Sequence, residues 1–574
     1  MRVALVTTAP SQRSGIGDYT RAWLDEFRRH AEVEVFVERG VGESLCGLAT
    51  KPVSELARFD GDRIVYQLGN ELAHAFMTPL VERFGGTVVL HDWVLFDQAV
   101  AAFPELARGG FAGHLRAFRE GGLDQAMIYA ASRAEKRRAE RADPPLAKHG
   151  TILAGWHQPE HGGRWTAARA FVRLPGRVDA VRLVAFGEGG RTLEVFVDKA
   201  RAASVSFGAG RDAPIEFYLV ADSPVLELRV RGIRASDEQR RHGDTRTLGA
   251  FVRSLEVSAS NAWRPIDLSA RAELAASTPT LDRERFRLPF NRSIVAHADS
   301  FVVHSDFVRR RILAARSDAP PIVVVHHGAR PHWRDDARRA DGQADETGRA
   351  AERRASELGA AEPSVDIRRD RDRRDTRRAI GMPRSFVDGC LVTSFGHVQA
   401  HKRVESLLRA FAVARRERPS LHLALVGALQ PEHFDAERLV RELDLGASVH
   451  CTGWVDEELG RRWLHAGDFA VQLRGPSTGG SSGGVFQSLS LGRGVIATDL
   501  DEQSELPDAC VLKVKPDADE VANLARLLVR LCDSPEERAR LEAAARRFVE
   551  HDCAWSAVAR RAFEFLRELP PRRQ

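Results

Sequence analysis

The sequence lacks any apolar run long enough to cross a bilayer, which excludes a membrane-spanning helix. Cysteine is scarce: Cys46, Cys390, Cys451, Cys510, Cys532 and Cys553 are scattered, and none stands in a CxxC pair. That argues against a zinc module and against a disulfide framework, and reduced thiols fit the cytoplasm. The net charge of +5 is small for 574 residues. The arginine-rich stretches lack interleaved aromatics, so nucleic acid is not expected as a partner. The slight positive excess suits phosphate-rich ligands or peripheral association with the inner, anionic face of a membrane. The opening MRVALVTTAP is apolar, but it is too short for a signal peptide and no small-residue cleavage site follows. It reads as a buried first strand, and a cytoplasmic protein is expected.

What is present is a soluble composition, 43% hydrophobic, in a chain too long for one core; two to four domains are expected. Residues 1–150 alternate short apolar runs (VALVTTA, VEVFVE, IVYQLG, TVVLHD) with helical patterns such as YTRAWLDEFRRH. That alternation predicts a parallel sheet covered on both faces. Residues 151–258 change period. RAFVRL, AVRLVAF, TLEVFVD, ASVSFG, IEFYLVA, VLELRVR and AFVRSLEV alternate apolar and polar positions with no helical stretch between them. They predict an antiparallel β-sandwich inserted into the first α/β domain. Residues 259–332 return to helix and strand and complete that domain. Residues 333–377 are Arg, Asp, Glu and Ala with almost no large apolar side chain, and read as a charged, disordered linker. Residues 378–574 form a second α/β domain closed by a terminal helix.

Four segments carry candidate chemistry. GIGDYT (Gly15–Thr20) lies between the first strand and the first helix. Gly15 and Gly17 make either a tight turn or an approach for an anion to the helix N-terminus. SFGHVQAHKR runs from a strand end at Gly396 through His397 to Lys402 and Arg403. Cations at a helix start are electrostatically disfavoured unless an anion sits there, so this is a candidate diphosphate site. GPSTGGSSGGVFQSLSLGRGVIATD (475–499) is a Gly/Ser loop before a helix, a possible nest of N–H donors. Asn70, His74, His91 and Asp92 cluster at two neighbouring strand ends. In the sandwich, GWHQPEHGGRWT offers Trp156 and Trp165, which stack on sugar rings if exposed and pack the core if buried.

Taken together, these segments resemble retaining glycosyltransferases of family 4, with the GT-B fold: two Rossmann-like domains facing a cleft. The resemblance covers 1–150, 259–332 and 378–574 and rests on GIGDYT, VVLHD, DSFVVHSDFVR, VVHHG, SFGHVQAHKR and SLGRGVIATD. QLGNELAH followed by LHD resembles a subgroup of that family, and GWHQPEHGGRWT an opening of sandwich domains attached to some such enzymes. The resemblance implies transfer of a sugar from a nucleotide-diphosphate donor to a glycan, lipid-linked or other acceptor, in polysaccharide or cell-envelope glycan synthesis. It implies no cofactor and no metal. Lys402 matches the lysine on the donor diphosphate. His397 stands where arginine is more usual, with Arg403 beside it. Gly15, Gly17 and Gly396 match backbone approaches to the donor. Gly480, Ser481, Ser482 and Gly483 match the donor loop, and Gln487 is placed to reach a ribose hydroxyl. Glu505 matches an acidic residue downstream. His91, with Asp92, matches the catalytic side of the transferred sugar; Asn70 and His74 fall on the acceptor side. One departure stands out: the family's two glutamates, eight positions apart, fall on Gly479 and Gln487, and the subgroup's glutamate falls on Gly480. The alternatives are a GT-B sugar or nucleotide binder without catalysis and, less favoured by the sandwich and LHD, a nucleotide-sugar epimerase.

Overall fold

The computed structural model describes residues 1–12, 14–141, 151–208, 211–233, 248–260, 262–270, 274–275, 284–332, 365–430 and 434–572. They group into two compact units. One comprises Met1–Phe103, Arg119–Gly121 and Pro289–Gln574, the other Pro104–Phe118 and Gly122–Leu288.

The chain begins with β1 (Arg2–Val6), β2 (Glu32–Val37), β3 (Ser44–Leu45), β4 (Leu48–Pro52), β5 (Arg63–Leu68) and β6 (Thr87–Leu90). β1, β5 and β6 are buried almost throughout, as parallel strands covered on two faces must be. The helix Gly15–Phe27 between β1 and β2 is capped by Ser14, whose hydroxyl accepts from the Gly17 N–H. It buries one face: Tyr19, Thr20, Trp23, Leu24 and Phe27.

The second unit holds β7 (Ala154–Glu160), β8 (Gly163–Thr166), β9 (Arg169–Arg173), β10 (Arg177–Phe186), β11 (Thr192–Val197), β12 (Ala200–Ser206), β13 (Asp212–Asp222), β14 (Val225–Arg231), β15 (Phe251–Ala259), β16 (Ala262–Pro265) and β17 (Leu274–Ala275). One sheet runs β13-β10-β15-β8-β7-β17, with β16 also on β15, and the other β12-β11-β14-β9. Val181, Leu183, Leu255 and Val257 from the first sheet meet Leu193, Val195, Leu226 and Leu228 from the second in one core. This is the aligned packing of two inner faces that alternation predicts. The expected boundaries at 150 and 258 are corrected. β16 extends the antiparallel sheet beyond 258 because Trp263 pairs with Ser258, and Pro104–Phe118 and the helix from Gly122 onward belong to the same unit.

The chain then adds β18 (Ser300–Val303) and β19 (Ile322–Val324) to the first sheet, whose order is β19-β18-β6-β5-β1-β2-β4-β3. The last sheet comprises β20 (Cys390–Phe395), β21 (Leu421–Val426), β22 (Val449–Cys451), β23 (Phe469–Gln472), β24 (Val495–Thr498) and β25 (Val511–Val514), in the order β22-β21-β20-β23-β24-β25, all parallel. Both α/β sheets reverse their winding beside a central strand, between β1 and β5 and between β20 and β23. Such switch points open a crevice at the carboxyl ends of the strands.

Two further expectations are revised. Of the supposed linker, 333–364 lies outside the described residues, but Val365–Ala379 is a helix. Its Arg373 and Arg377 are buried against Asp468 and Glu542. Composition misleads here because buried carboxylates neutralise arginines that would otherwise stay in water. The terminal helix Trp555–Glu568 does not close the second α/β domain. Its face of Val558, Ala559, Ala562 and Leu566 packs on Trp23, Leu24 and Phe27 of the first, and Arg63 donates to the Leu566 carbonyl at 2.8 Å.

Candidate functional site

The carboxyl end of β20 leads through Gly396, at φ 116°, into the turn Ala400–Lys402. A side chain at Gly396 would approach the Lys402 ammonium at 3.9 Å. Burial, and then the charge of Arg474, push the Lys402 amine down to about 7 from its usual 10.5. Arg474 follows β23 on the other side of the switch point. It donates to the Gly480 carbonyl at 2.8 Å, and its buried Nε has no partner. Two half-buried cations therefore act on each other here. Arg474 is missed by motif reading; the available signal is an arginine beside glycine at the end of a buried strand, FAVQLRG. Arg403 is not the second cation. Its Nε and Nη2 are held by the buried carboxylate of Glu520, Nε to Oε1 at 2.6 Å. His397 is exposed at the rim.

The helix Gly483–Ser490 starts beside these cations with no side-chain cap. The Gly483 and Gly484 N–H groups have no intrahelical acceptor, while the Val485 N–H donates to the Ser482 carbonyl at 3.0 Å. Gly483 borders open space, whereas Gly484 has to be glycine, since a Cβ would meet Gln472 Oε1 at 2.7 Å and the Phe395 carbonyl at 3.0 Å. Ser481 is half-buried, Ser482 is buried, and Gln487 is exposed. The expected cradle is narrower than Gly480–Gly483: the Gly480 N–H donates to Thr478 Oγ1 at 3.3 Å and its carbonyl is taken by Arg474.

The loop before this helix is pinned to the end of β6. Trp93 and Val94 N–H groups donate to the Thr478 carbonyl at 2.9 and 2.8 Å, and Thr478 Oγ1 donates to Asp92 Oδ1 at 2.9 Å. A Cβ at Gly480 would lie 2.1 Å from Asp92 Oδ1, and one at Gly479 2.6 Å from Trp93 Cβ. Positions 479 and 480 therefore have no room for a side chain, and the Asp92 carboxylate fills the space at 480, whereas Gln487 stands exposed.

Two carboxyl groups behave differently downstream. Glu505 is engaged: it accepts from the Asp306 N–H at 2.6 Å and from Arg310 at 2.9 Å, tying β24's exit to the helix Asp306–Ala315. Glu502, overlooked in the sequence, is 6% exposed. It accepts from Ser477 Oγ at 2.6 Å and has a buried, unpartnered Oε1. Burial pushes its carboxyl up to about 7, against the opposing pull of Ser477 and Arg474.

On the facing side, Gly15 borders open space, and a Cβ at Gly17 would make only ordinary contacts. His91 turns inward. Its Nε2 lies 2.8 Å from Gln67 Oε1 and its Nδ1 3.2 Å from His304 Nε2, while His304 Nδ1 donates to the Val325 carbonyl at 2.9 Å. A carbonyl only accepts, so His304 Nδ1 carries that ring's proton. Burial, then the neighbouring histidines, push His91 well below its usual value; burial, then His327, push His304 down to about 3. Tyr19 packs edge-on to His91 at 4.5 Å and lies 5.1 Å from the His327 ring. Both ring nitrogens of His91 are thus committed to the protein.

The acceptor-side expectations are also revised. His74 is 0% exposed and bonded through Nδ1 to the Gly69 backbone, so it is a core residue. Asn70 caps the helix Phe96–Ala102: Oδ1 accepts from the Asp97 N–H at 2.7 Å, and Nδ2 donates to Asp97 Oδ2. The neighbour that does face the glycine loop is Glu71, raised by burial and bonded to the Ser14 hydroxyl and the Ile16 N–H. Among the described residues no three His, Cys, Asp or Glu side chains converge as a metal site. No described helix is long and apolar enough to cross a membrane.

Residues 389–534 match the family model described as glycosyl transferases group 1. The two parallel sheets with the antiparallel insertion are the GT-B arrangement. Among solved structures, the chain is similar to sucrose-phosphate synthase from Thermosynechococcus elongatus, at 13% identity over 99% of this chain and 98% of that one, with a TM-score of 0.47. It is similar also to HepE from Anabaena, solved with UDP and glucose, at 10% identity over 99% and 100%, with a TM-score of 0.45. The sheet orders, not these likenesses, define the fold. Comparison with curated proteins finds no match.

Proposed function

We propose that the protein transfers a sugar from a nucleoside-diphosphate donor bound at the carboxyl ends of β20 and β23. One observation carries this reading: the half-buried Lys402 and Arg474 act on each other beside an uncapped helix N-terminus, with no carboxylate on the Lys402 ammonium among the described residues. Like charges partly withdrawn from water are costly, and a diphosphate removes that cost. In transfer, the acceptor hydroxyl oxygen bonds to the anomeric carbon. The bond from that carbon to the phosphate oxygen breaks, its electron pair stays on the diphosphate, and the acceptor proton leaves to a phosphate oxygen or a nearby base. Lys402, Arg474 and the N–H groups of Ser482 to Gly484 stabilise the charge that develops on the leaving group. Retention at the anomeric carbon and independence of metal belong to the proposal; product anomer analysis by NMR and an EDTA challenge check them.

The test is calorimetric binding of uridine, guanosine, adenosine and thymidine diphosphates to wild type, Lys402→Ala and Arg474→Ala. A charge-assisted hydrogen bond is worth about 1.5–3 kcal/mol, so each substitution weakens the preferred nucleotide roughly 10- to 150-fold. Equal affinity in all three proteins defeats the assignment. The binder without catalysis is favoured by one observation, that Asp92 and Trp93 leave Gly479 and Gly480 no space for a carboxylate. Release of nucleoside diphosphate from its nucleotide sugar, with and without acceptor glycans, separates the two readings.

We infer a lipid-linked acceptor at a membrane surface from the helical segment Gly110–Arg141. Phe111, 86% exposed, Leu115 and Phe118 stand on one turn-by-turn stripe facing water, with exposed Arg119 beside them. Apolar side chains flanked by arginine fit the interface of an anionic bilayer. Flotation with vesicles containing phosphatidylglycerol tests this: wild type floats, and Phe111→Asp with Leu115→Asp does not.

A further inference from the structure

The tryptophans that open the sandwich are not its exposed aromatics. Trp156 is 1% exposed and donates its indole N–H to the Phe171 carbonyl at 2.9 Å. Trp165 packs on Phe251 with ring centroids 5.2 Å apart. On the outward face of the larger sheet one aromatic is exposed and another, Trp263, is half-buried. Tyr218 on β13 is 82% exposed. The strand register aligns it across the sheet with Ala180, then Ser258, then Trp263 on β16. Two aromatics thus flank two small residues in one row. In the next row Arg182 stands between Glu216 and Glu256. It donates to Glu216 at 3.0 Å, lies 3.7 Å from Glu256, and holds its guanidinium 4.3 Å from the Trp263 ring centroid.

A cavity of about 290 Å³ opens along the same side of β15, lined by Glu160, Ser254, Glu256, Ile266 and Asp267 among others. Ser254, Glu256 and Ser258 are successive outward positions of β15, so the cavity at Ser254 and Glu256 and the aromatic row at Ser258 lie on the same strand, roughly 13 Å apart from end to end. The charges on this path are already satisfied by one another. Arg182 serves Glu216 and Glu256, Arg253 donates to Asp212 at 2.7 Å, and Asp267 accepts from the Ser269 N–H and hydroxyl. A phosphate or an anionic polymer would meet the carboxylates of Glu160, Glu216, Glu256 and Asp267. What the surface offers is fixed donors and acceptors between aromatic faces. That combination matches a neutral polyol, whose hydroxyls bridge paired charges while its C–H faces lie on rings.

We propose that this outward face of the β-sandwich, from the cavity at Ser254 to the row of Tyr218 and Trp263, binds a neutral oligosaccharide. The site lies within one compact unit and is independent of the nucleotide site. The test is calorimetry on the full chain with maltohexaose, cellohexaose and mannohexaose, with heparin as the anionic comparison, on wild type, Tyr218→Ala, Trp263→Ala and Trp263→Phe. At least one neutral hexasaccharide binds wild type. Each alanine variant weakens it tenfold or more, Trp263→Phe retains most of it, and all four proteins melt at similar temperatures. The proposal is overturned if no neutral hexasaccharide binds, if heparin alone binds, or if both alanine variants bind as wild type does.

Discussion

Replacing Lys402 by methionine keeps the length of the side chain and removes the charge. Burial and Arg474 lower this amine from 10.5 to about 7. At about 1.36 kcal/mol per pH unit, that displacement corresponds to roughly 5 kcal/mol as an upper bound. Residual contact with solvent brings the expected cost of holding the cation to about 1–3 kcal/mol. Between pH 7 and 10.5 the unfolded chain binds more protons at this position than the folded one, so stability rises with pH across that window. Below pH 7 the cost is fully present. Lys402→Met is therefore expected to be more stable than wild type at pH 6–7 without ligand, with the gap closing toward pH 10. A nucleoside diphosphate reverses the order, because it stabilises only the protein that binds it. Differential scanning calorimetry at pH 6.5 and 9.5, with and without the preferred diphosphate, measures all four cases. Binding at pH 8 should also take up about 0.9 proton, seen as a dependence of the heat on buffer ionisation enthalpy. A variant less stable than wild type at pH 6.5, or one still stabilised by nucleotide, would refute the reasoning.

Three further outcomes follow from the same geometry. Gly480→Glu, which places a carboxylate in the donor loop, should lower the melting temperature and reduce nucleotide binding, because its Cβ collides with Asp92; higher activity would mean that the loop moves away from β6. Arg377→Ala leaves Asp468, which also serves Arg373 and the Leu391 N–H, short of a buried partner; urea unfolding should show a loss of about 3–5 kcal/mol. Glu502→Gln removes a carboxyl raised to about 7 from its usual 4.5. The folded wild type binds more protons than the unfolded chain between those values, so its stability falls as pH rises through them. The glutamine variant should match wild type near pH 4.5 and exceed it by about 1–2 kcal/mol at pH 8, measured by thermal melts across that range.

Local pattern made much of this molecule legible. β1, β2, β5 and β6 fall on the apolar runs read as strands. The change from a helical to a two-residue period marks the sandwich, because alternation survives whatever the sheet partner is. The glycines after β1 and β20 and the Gly/Ser loop before Gly483–Ser490 were visible because a helix start after a strand needs a turn of that kind.

What tertiary structure alone decided is which charges are spare. Arg403 and Lys402 are adjacent and look equivalent, but Arg403 is consumed by Glu520, 117 positions away. Arg474, outside any motif read as a phosphate site, takes the place beside Lys402. Glu505 is spent on Asp306 and Arg310, whereas Glu502, three residues earlier, is the buried carboxyl without a full set of partners. The helix Val365–Ala379 is charged along its length, yet it is anchored because Asp468 and Glu542 wait for its arginines. The terminal helix returns to Trp23 and Phe27 at the opposite end of the chain. Sequence by itself determined the periods, the turns and the class of fold, because these depend on neighbours within a few positions. Pairing of charge and placement of the last helix depend on contacts between residues a hundred or more apart, and only the folded chain brings those together.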